Sequence, residues 1–398
     1  MLPIRRGHPL PAGRQAPKII TLDGSTRVLA SWYILMGMRT DELDYPLPAS
    51  LIARHPVYPR DRCRLLVYRR AADSVEHLRF DELPELLTAG DLLAANDARV
   101  LPAKLRLRKP SGGLLSGLFL EEKAPGCWQV MLKTRGRVAP GMVLSVVDSH
   151  DQSTGVELTL CRRLEEKGRW IADLNTAQAA LALLEKIGGV PLPPYIEKAR
   201  AVDRAVPFQE KDAVDYQTVY ACSTGSLACP TAGLHFTPEL LAELARHGVQ
   251  QAFVTLHVGL GTFLPVRTLR LENHTISREF FSIGQSTVER IRRQRAAGRR
   301  MVVVGTTTVR ALETAADEIL DVSVPPHDLA SWTDLLIQPG FTFRLCDALI
   351  TNFHLPRSTL LALVAALVGL ERLKDLYRQA IRLNYRFYSY GDAMLILP

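Results

Sequence analysis

Apolar runs of strand length alternate with helix-like patterns from residue 230 to the C-terminus, and four of these runs stop in loops rich in Gly, Thr, Pro and His. The loops span residues 230–237, 257–263, 305–308 and 351–354. Open α/β sheets bind their ligands beyond the carboxyl ends of parallel strands. If these strands lie parallel in one sheet, the four loops meet at one edge, and we expect the chemistry there.

Helix signals follow several of these loops. Thr237, Pro238 and Glu239 provide an N-cap, a proline at the first helical position and an acid in the first turn. The patterns predict further helices over residues 286–297, 309–318 and 358–383, and strands over 64–68, 91–95, 251–257, 301–304 and 334–337, with a turn at 96–99. This alternation predicts a layered α/β core.

Between residues 101 and 174 the apolar period changes to two. The alternating segments lie at 103–108, 117–120, 128–132, 142–146 and 156–160, with Gly, Pro and Asp turns between them. Short strands at this spacing predict a small all-β barrel or sandwich. We therefore expect a poorly ordered N-terminal extension over 1–37, an α/β domain formed by 38–100 and 175–398, and an inserted β domain over 101–174.

Composition narrows the function classes. A chain of 398 residues with 47% hydrophobic and 23% charged residues is typical of a soluble two-domain enzyme. The net charge is +8, of which residues 1–37 carry +4, so the charge argument for a nucleic-acid partner is modest. The longest apolar run, residues 359–370, is too short to cross a membrane. Six scattered cysteines lack any C-x-x-C pair, which indicates reduced thiols in the cytoplasm and no zinc knuckle.

Two groups of side chains carry candidate chemistry. Thr306, Thr307 and Thr308 open a helix after a strand, where hydroxyls and backbone N–H groups could bind a phosphate, carboxylate or ribose oxygen, or could simply cap the helix. His235 and His257, with His354, could move protons, although each fits a structural histidine equally well.

The last strand is preceded by aromatic residues that alternate with arginine at 385–392. This segment could stack a nucleic-acid base or form a packed corner of the core. The sequence contains neither a Walker loop nor G-x-G-x-x-G, and no short histidine spacing supports a metal site.

Taken in order, seven segments resemble the signatures of the S-adenosylmethionine:tRNA ribosyltransferase-isomerase family of queuosine biosynthesis, and the resemblance covers residue 38 to the C-terminus. The segments are NDARV (96–100), DYQTVY (215–220), PTAGLHFT (230–237), HVGLGTF (257–263), GTTTVRALE (305–313), TNFHLP (351–356) and YRFYSYGDAML (385–395).

The resemblance implies a three-layer α/β/α domain with an inserted β-barrel and a cytoplasmic enzyme. Such an enzyme transfers the ribosyl part of S-adenosylmethionine to 7-aminomethyl-7-deazaguanine at the wobble position of a tRNA with a GUN anticodon, and it rearranges the ribose to give epoxyqueuosine, adenine and methionine. S-adenosylmethionine is then a substrate, and no cofactor or metal is expected. We further expect no membrane association, and a monomer or weak homodimer.

The resemblance and the loop chemistry together give the expected site. The expected catalytic residues are His235, His257, His274 and Glu279. The expected substrate-binding residues are Asn96, Asp97, Arg99, Thr231, Gly233, Gly259, Gly261, Thr262, Thr306, Thr307, Thr308, Arg310, Asn352, His354, Tyr388 and Tyr390.

One segment departs from the family pattern. Family members usually carry His-x-Met-His-Ser-Glu, whereas residues 274–279 read HTISRE, so the inner histidine and serine are replaced by Ser277 and Arg278. This departure motivates one alternative, a tRNA-binding homologue without catalytic activity. A second alternative, from a different enzyme class, is an S-adenosylmethionine-dependent tRNA methyltransferase.

Overall fold

The structure, a computed structural model, describes residues 37–134, 136–201, 211–259, 261 and 266–398. Of the expected N-terminal extension, Gly37 alone is among these residues. The predicted binding residue Thr262 also lies outside the described residues. In the described part of the chain, no helix is both long and apolar enough to cross a membrane.

Strands and helices alternate through most of the chain. The strands are β1 Arg64–Arg69, β2 Ser74–Arg79, β3 Leu92–Asn96, β4 Ala98–Val100, β5 Lys104–Arg108, β6 Leu114–Ala124, β7 Cys127–Lys133, β8 Val143–Val147, β9 Ser153–Arg163, β10 Arg169–Leu174, β11 Ser223–Ser226, β12 Gln250–Leu256, β13 Glu279–Ile283, β14 Met301–Val304, β15 Leu329–Thr333, β16 Ala348–Asn352 and β17 Ala393–Leu397. The α-helices are α1 Leu83–Leu86, α2 Ala180–Ile187, α3 Pro194–Ala201, α4 Asp212–Asp215, α5 Pro238–Arg246, α6 Gln285–Ala296, α7 Thr306–Thr314, α8 Ala316–Leu320, α9 Thr359–Val368 and α10 Leu370–Arg382. Short 3-10 turns lie at Thr40–Leu43, Ala49–Leu51, Arg60–Arg62, Phe80–Glu82, Thr231–His235 and Leu271–Asn273.

A nine-stranded mixed sheet forms the core, in the order β15-β13-β12-β3-β14-β16-β17-β1-β2. Four adjacent strands, β12, β3, β14 and β16, run parallel to one another. Their carboxyl ends therefore share one edge of the sheet, as the sequence predicts for the loops after β12, β14 and β16.

Both faces of this sheet carry helices. In β14, Met301 and Val303 pack with α6 to α10, whereas Val302 and Val304 pack with α1 and α5. Alternate side chains of a strand point to opposite faces, so a strand that is apolar at every position can bury both faces. The predicted three-layer α/β/α core is confirmed.

The inserted region is a closed barrel in the order β10-β7-β6-β5-β8-β9, with every neighbouring pair antiparallel. Its interior is filled by alternate side chains such as Leu105, Leu107, Trp128 and Val130. The predicted barrel is confirmed, although the pattern analysis missed β10. The domain limits at 101 and 174 stay a prediction.

Three local predictions are wrong. Residues 96–99 are not a turn, because Ala98–Val100 forms β4 and pairs in parallel with β11 in a separate two-stranded sheet. The loop at 230–237 therefore follows a strand outside the main sheet. Residues 334–337 are not a strand, because the strand lies at Leu329–Thr333, where it pairs with the unpredicted β13. The helix predicted from residue 309 begins at Thr306.

The barrel joins the core through close backbone contacts. Lys104 and Gly189 exchange two backbone hydrogen bonds of 2.8 Å. Next to this bridge, a Cβ atom on Gly188 would lie 1.8 Å from the carbonyl oxygen of Pro102. Only glycine allows the two backbones to approach this closely.

We expect Gly188→Ala to destabilise the protein by about 3 kcal/mol, because the new methyl group must push two backbone segments apart. Chemical denaturation of the full chain measures this change. Gly113→Ala, in a barrel hairpin where an added Cβ meets nothing closer than 4.0 Å, is the matched control. Equal stability of the two variants would contradict this account of the junction.

Candidate active site

A cleft of about 410 Å³ lies at the edge where β14 and β16 end. Six of the predicted substrate-binding residues line it: Thr231, Thr306, Thr307, Asn352, His354 and Tyr388. The other lining residues are Pro194, Tyr195, Lys198, Cys229, Pro230, Ala232, Val258, Gly305, Thr351, Phe353, Leu355, Pro356, Ser358, Leu360 and Ser389. Separate loops thus converge on one concave surface.

The three threonines at the start of α7 do not share a role. Gly305 has a φ of 84°, a left-handed conformation that favours glycine, and it turns the chain from β14 into α7. Thr306 and Thr307 then line the cleft. Thr308 faces away and donates its hydroxyl to the carbonyl oxygen of Val304, as helix-interior threonines often do. The cleft receives two hydroxyls beside the N–H groups of the first helical turn.

Asn96 fixes the relative positions of the strand ends. Its side-chain oxygen accepts hydrogen bonds of 3.0 Å from the N–H groups of Ala98 and Leu256. Its amide nitrogen donates to the carbonyl oxygen of Leu256 and to the hydroxyl of Thr307, 3.1 Å away. Asn96 is buried and lies behind the cleft, so it positions Thr307 and contacts no ligand in the cleft.

His235 lies behind Asn352 in a buried chain of hydrogen bonds. Asn352 donates to Nε2 of His235 at 3.0 Å, and its side-chain oxygen accepts from the hydroxyl of Thr231 at 2.9 Å. Nδ1 of His235 lies 3.2 Å from the thiol sulfur of Cys63. Burial, with smaller contributions from nearby arginines, lowers the pKa of His235 to about 3. His235 is therefore neutral, and it reaches the cleft only through Asn352.

His354 is the histidine that lines the cleft. Its Nε2 lies 2.7 Å from the hydroxyl of Thr351, and its backbone carbonyl accepts a hydrogen bond from the hydroxyl of Tyr45. The hydroxyl of Tyr377 accepts from its backbone N–H at 2.9 Å. Burial lowers the pKa of His354 to about 3, so this imidazole is also neutral near pH 7.

His257 lies on the other side of β12 from the cleft. Its neighbour Val258 lines the cleft, and successive side chains of an extended segment point to opposite sides. The ring packs against the backbone of Gly225, where an added Cβ would lie 2.9 Å from its Cε1 atom. Burial lowers the pKa of His257. The structure does not bring His257 together with His235 and His354.

Glu279 and Arg310 form a buried ion pair outside the main cleft. The other carboxylate oxygen of Glu279 accepts from the N–H of Gly259 at 2.9 Å. Arg310 also donates to the carbonyl oxygen of Leu335 at 3.1 Å. The pair thus links the loop after β12 to the segment after β15.

A second, much smaller cavity of about 30 Å³ adjoins this pair. It is lined by Gly261, His274, Ser277 and Arg310, with Leu360 shared between both cavities. A Cβ on Gly261 would lie 2.3 Å from the hydroxyl of Ser277, so this glycine permits the close approach of the HTISRE segment.

The remaining predicted residues serve packing or lie at the surface. A Cβ on Gly233 would lie 2.1 Å from the hydroxyl of Tyr220, so this glycine makes room for a partly buried tyrosine. Asp97 accepts a hydrogen bond of 2.6 Å from Thr255, Arg99 is exposed, and Tyr390 is buried against Tyr216. None of these four predicted residues lines the cleft.

The sequence analysis missed one wall of the cleft, which is formed by α3. Tyr195 packs against Tyr388 with ring centroids 4.7 Å apart and hydrogen-bonds to Ser389, and burial raises the pKa of Tyr195 to about 12. Lys198 is exposed at the same wall, and Glu197 pairs with Lys104 of the barrel. A Pro-Pro-Tyr start after an irregular segment was the available signal, since proline is common in the first turn of a helix.

The cleft is largely apolar and contains little charge. Among its described lining residues, Lys198 is the only Lys or Arg, and there is no Asp or Glu. Within the described part of the chain, no group of three or more His, Cys, Asp or Glu side chains could hold a metal ion. The described lining of the cleft therefore offers a ligand hydroxyl, amide, imidazole and aromatic contacts and a single cation, Lys198.

Comparisons with known proteins point to one family. The family model described as "Queuosine biosynthesis protein" matches residues 40–396. An S-adenosylmethionine:tRNA ribosyltransferase-isomerase of Thermotoga petrophila is 45% identical over 361 residues, covering 90% of this chain and all of the relative, and the Aquifex aeolicus protein of the same name is 42% identical over 360 residues with the same coverage. A crystal structure of S-adenosylmethionine tRNA ribosyltransferase from Thermotoga maritima is similar with a TM-score of 0.50 and 36% identity, over 89% of this chain and all of that one.

The two buried neutral histidines predict a loss of stability in acid. The pKa values of His235 and His354, each about 3, lie below the ordinary value of 6.5, so the unfolded chain binds protons that the folded chain does not. Their contribution is present above pH 6.5 and is lost as the pH falls towards 3.

We expect the double variant His235→Gln/His354→Gln to lose less stability than the wild type between about pH 6.5 and about pH 4.5. Urea denaturation across this range measures the difference. His150→Gln, at the exposed barrel surface, controls for loss of an imidazole. Parallel pH dependence of the wild type and the double variant would refute the assignment.

Proposed function

The chain belongs to the queuosine biosynthesis protein family, and we propose that it is an S-adenosylmethionine:tRNA ribosyltransferase-isomerase. In this proposal it transfers the ribosyl part of S-adenosylmethionine to 7-aminomethyl-7-deazaguanine at the wobble position of a tRNA with a GUN anticodon. The ribose is rearranged to give epoxyqueuosine, and adenine and methionine are released. S-adenosylmethionine is consumed as a substrate without a further cofactor, and the enzyme acts in the cytoplasm as a monomer or weak homodimer.

One observation carries this proposal: five of the seven segments that define the resemblance contribute to the same cleft. They supply Thr231, Val258, Thr306, Asn352 and Tyr388. The parallel strands β12, β14 and β16 bring Val258, Thr306 and Asn352 to one edge of the sheet, and the loops that carry Thr231 and Tyr388 join them there. A single ligand in the cleft can therefore contact all five loops.

The cleft suits a sulfonium nucleoside. The aromatic rings of Tyr195 and Tyr388 offer surface for an adenine ring and for a cation next to a ring face. Thr306 and Thr307, at the N-terminus of α7, offer hydroxyls and N–H groups to a carboxylate or to ribose oxygens. Lys198 adds a cation at the wall, suited to a carboxylate or an RNA phosphate.

Some predicted residues line the cleft, where they can contact the substrate, whereas others hold the lining residues in position. The sulfonium makes the adjacent C5′ hydrogens of the ribose acidic, so the reaction begins with removal of one of them. Among the described histidines, His354 is the one that lines the cleft, whereas His235 holds Asn352, and through it Thr231, in position. Glu279 and Arg310 fix the loop after β12. An apolar cleft protects the epoxide product from water.

The products decide the reaction class. We expect incubation with S-adenosylmethionine and tRNA bearing the aminomethyl base to release adenine and methionine in equal amounts and to add the epoxycyclopentane group to the tRNA. Chromatography and nucleoside mass spectrometry measure both. Appearance of S-adenosylhomocysteine would instead indicate methyl transfer, and tRNA binding without adenine release would indicate a homologue that has lost activity.

The threonines of α7 provide a matched pair of variants. We expect Thr306→Val to raise the KM for S-adenosylmethionine about tenfold, because it removes a hydroxyl that faces the ligand. Thr308→Val is the control, since the hydroxyl of Thr308 faces away from the cleft and bonds to Val304. Steady-state kinetics on both variants test the placement, and an equal KM in the two would place the ligand elsewhere.

A further inference from the structure

A row of aromatic side chains crosses the outer strands of the sheet on the side away from the cleft wall. Phe280 of β13 is directly paired with Trp332 of β15, and its carbonyl oxygen accepts a hydrogen bond of 3.0 Å from the N–H of His257, which follows β12. The His257 and Phe280 rings are 6.2 Å apart and nearly parallel at 17°. The Phe280 and Trp332 rings are 5.6 Å apart at 70°. The row is named here the aromatic row.

The aromatic row is accessible and does not belong to the core. The neighbours of Phe280 in its own strand, such as Phe281, point into the main core cluster, so Phe280 points to the opposite face. Trp332 is 52% exposed, and Phe280 and His257 are half-buried. An exposed tryptophan beside further aromatic rings on an open sheet face is typical of a binding surface.

The polar groups around the aromatic row suit an anionic, hydrogen-bonding partner. The guanidinium of Arg278 lies 5.9 Å from the centre of the Trp332 ring. The Nδ1 atom of His257 is buried and has no hydrogen-bond partner among the described residues. The charge of Asp97 acts on His257, and Asp97 already accepts a hydrogen bond from Thr255. An anionic partner with planar rings would therefore contact Arg278 and the exposed face of Trp332.

We infer that the aromatic row stacks unpaired nucleotides of the RNA substrate beside the base that enters the cleft. This inference rests on the proposed function. Sheet-face aromatics on neighbouring strands stack two or three bases in known RNA-binding domains, and the spacing of strands sets the spacing of the rings. Arg278 then contacts a backbone phosphate or the face of a base.

Position links the aromatic row to the cleft. His257 belongs to the row, whereas the next residue, Val258, lines the cleft. The backbone at residues 257–258 therefore lies between a base in the cleft and the adjacent nucleotides stacked on the aromatic row. A loop of single-stranded RNA can straddle this segment, with the reacting base turned to one side and adjacent bases stacked on the other.

Trp332 provides a direct probe in a chain that carries Trp32→Phe, because the other two tryptophans, Trp128 and Trp170, are buried in the barrel. We expect an anticodon stem-loop RNA to quench tryptophan fluorescence in this chain, and the further change Trp332→Phe to abolish this quenching while most of the affinity is kept. Trp332→Ala should bind the RNA about tenfold more weakly. The slope of affinity against salt concentration should stay unchanged, since stacking releases no counterions.

Val322→Ala is the matched control, because Val322 is an exposed apolar residue, at 82%, outside the row. If Trp332→Ala binds RNA with wild-type affinity and releases adenine normally, the aromatic row does not stack RNA nucleotides, and the proposed function is unaffected. RNA-dependent quenching without any adenine release would support RNA binding by the aromatic row and contradict the proposed function. If sedimentation showed that Trp332→Ala converts a dimer to a monomer with unchanged RNA affinity, the row would instead cover a second copy of the chain.

Discussion

The amide of Asn96 is the interaction on which the site depends. It joins the end of β3 to the end of β12 and to the first turn of α7, and it is buried. A buried amide with all its groups satisfied fixes one arrangement, because any shift would leave a donor or acceptor unpaired. The parallel strands bring their ends to one edge, and Asn96 sets the relative positions at which the loops leave that edge.

Apart from Lys198 at its wall, the described lining of the cleft beside this edge consists of neutral groups. Burial keeps both His235 and His354 uncharged, and the polar atoms of Asn352 and Thr231 are already paired with each other. Such a site does not have to reorganise charged side chains when a cationic ligand enters. Its selectivity comes from the shape of the aromatic walls and from a few fixed hydrogen-bonding groups.

The sequence predicted more of the fold than of the candidate site. Apolar periodicity gave the layered core and the barrel, because strands buried on both faces and strands of a barrel differ in their patterns. It failed for β13 and β15, because the half-buried Phe280 and the exposed Trp332 break the expected alternation and because the two strands pair over a long sequence separation.

Six of the substrate-binding residues predicted from motifs line the cleft, whereas other predicted residues do not. A motif identifies a loop but does not show which side of the loop faces the ligand, and so Thr308 and His257 point away while Thr307 and Val258 do not. Tyr195 and Lys198 were missed because their helix follows an irregular segment with no periodicity to mark it.

Helix α3 connects two parts of the molecule that have different tasks. Tyr195 and Lys198 form a wall of the cleft, and Glu197 between them is paired with Lys104 at the start of a barrel strand. A displacement of this barrel strand therefore pulls on the helix that carries the wall, so the width of the cleft depends on the position of the barrel.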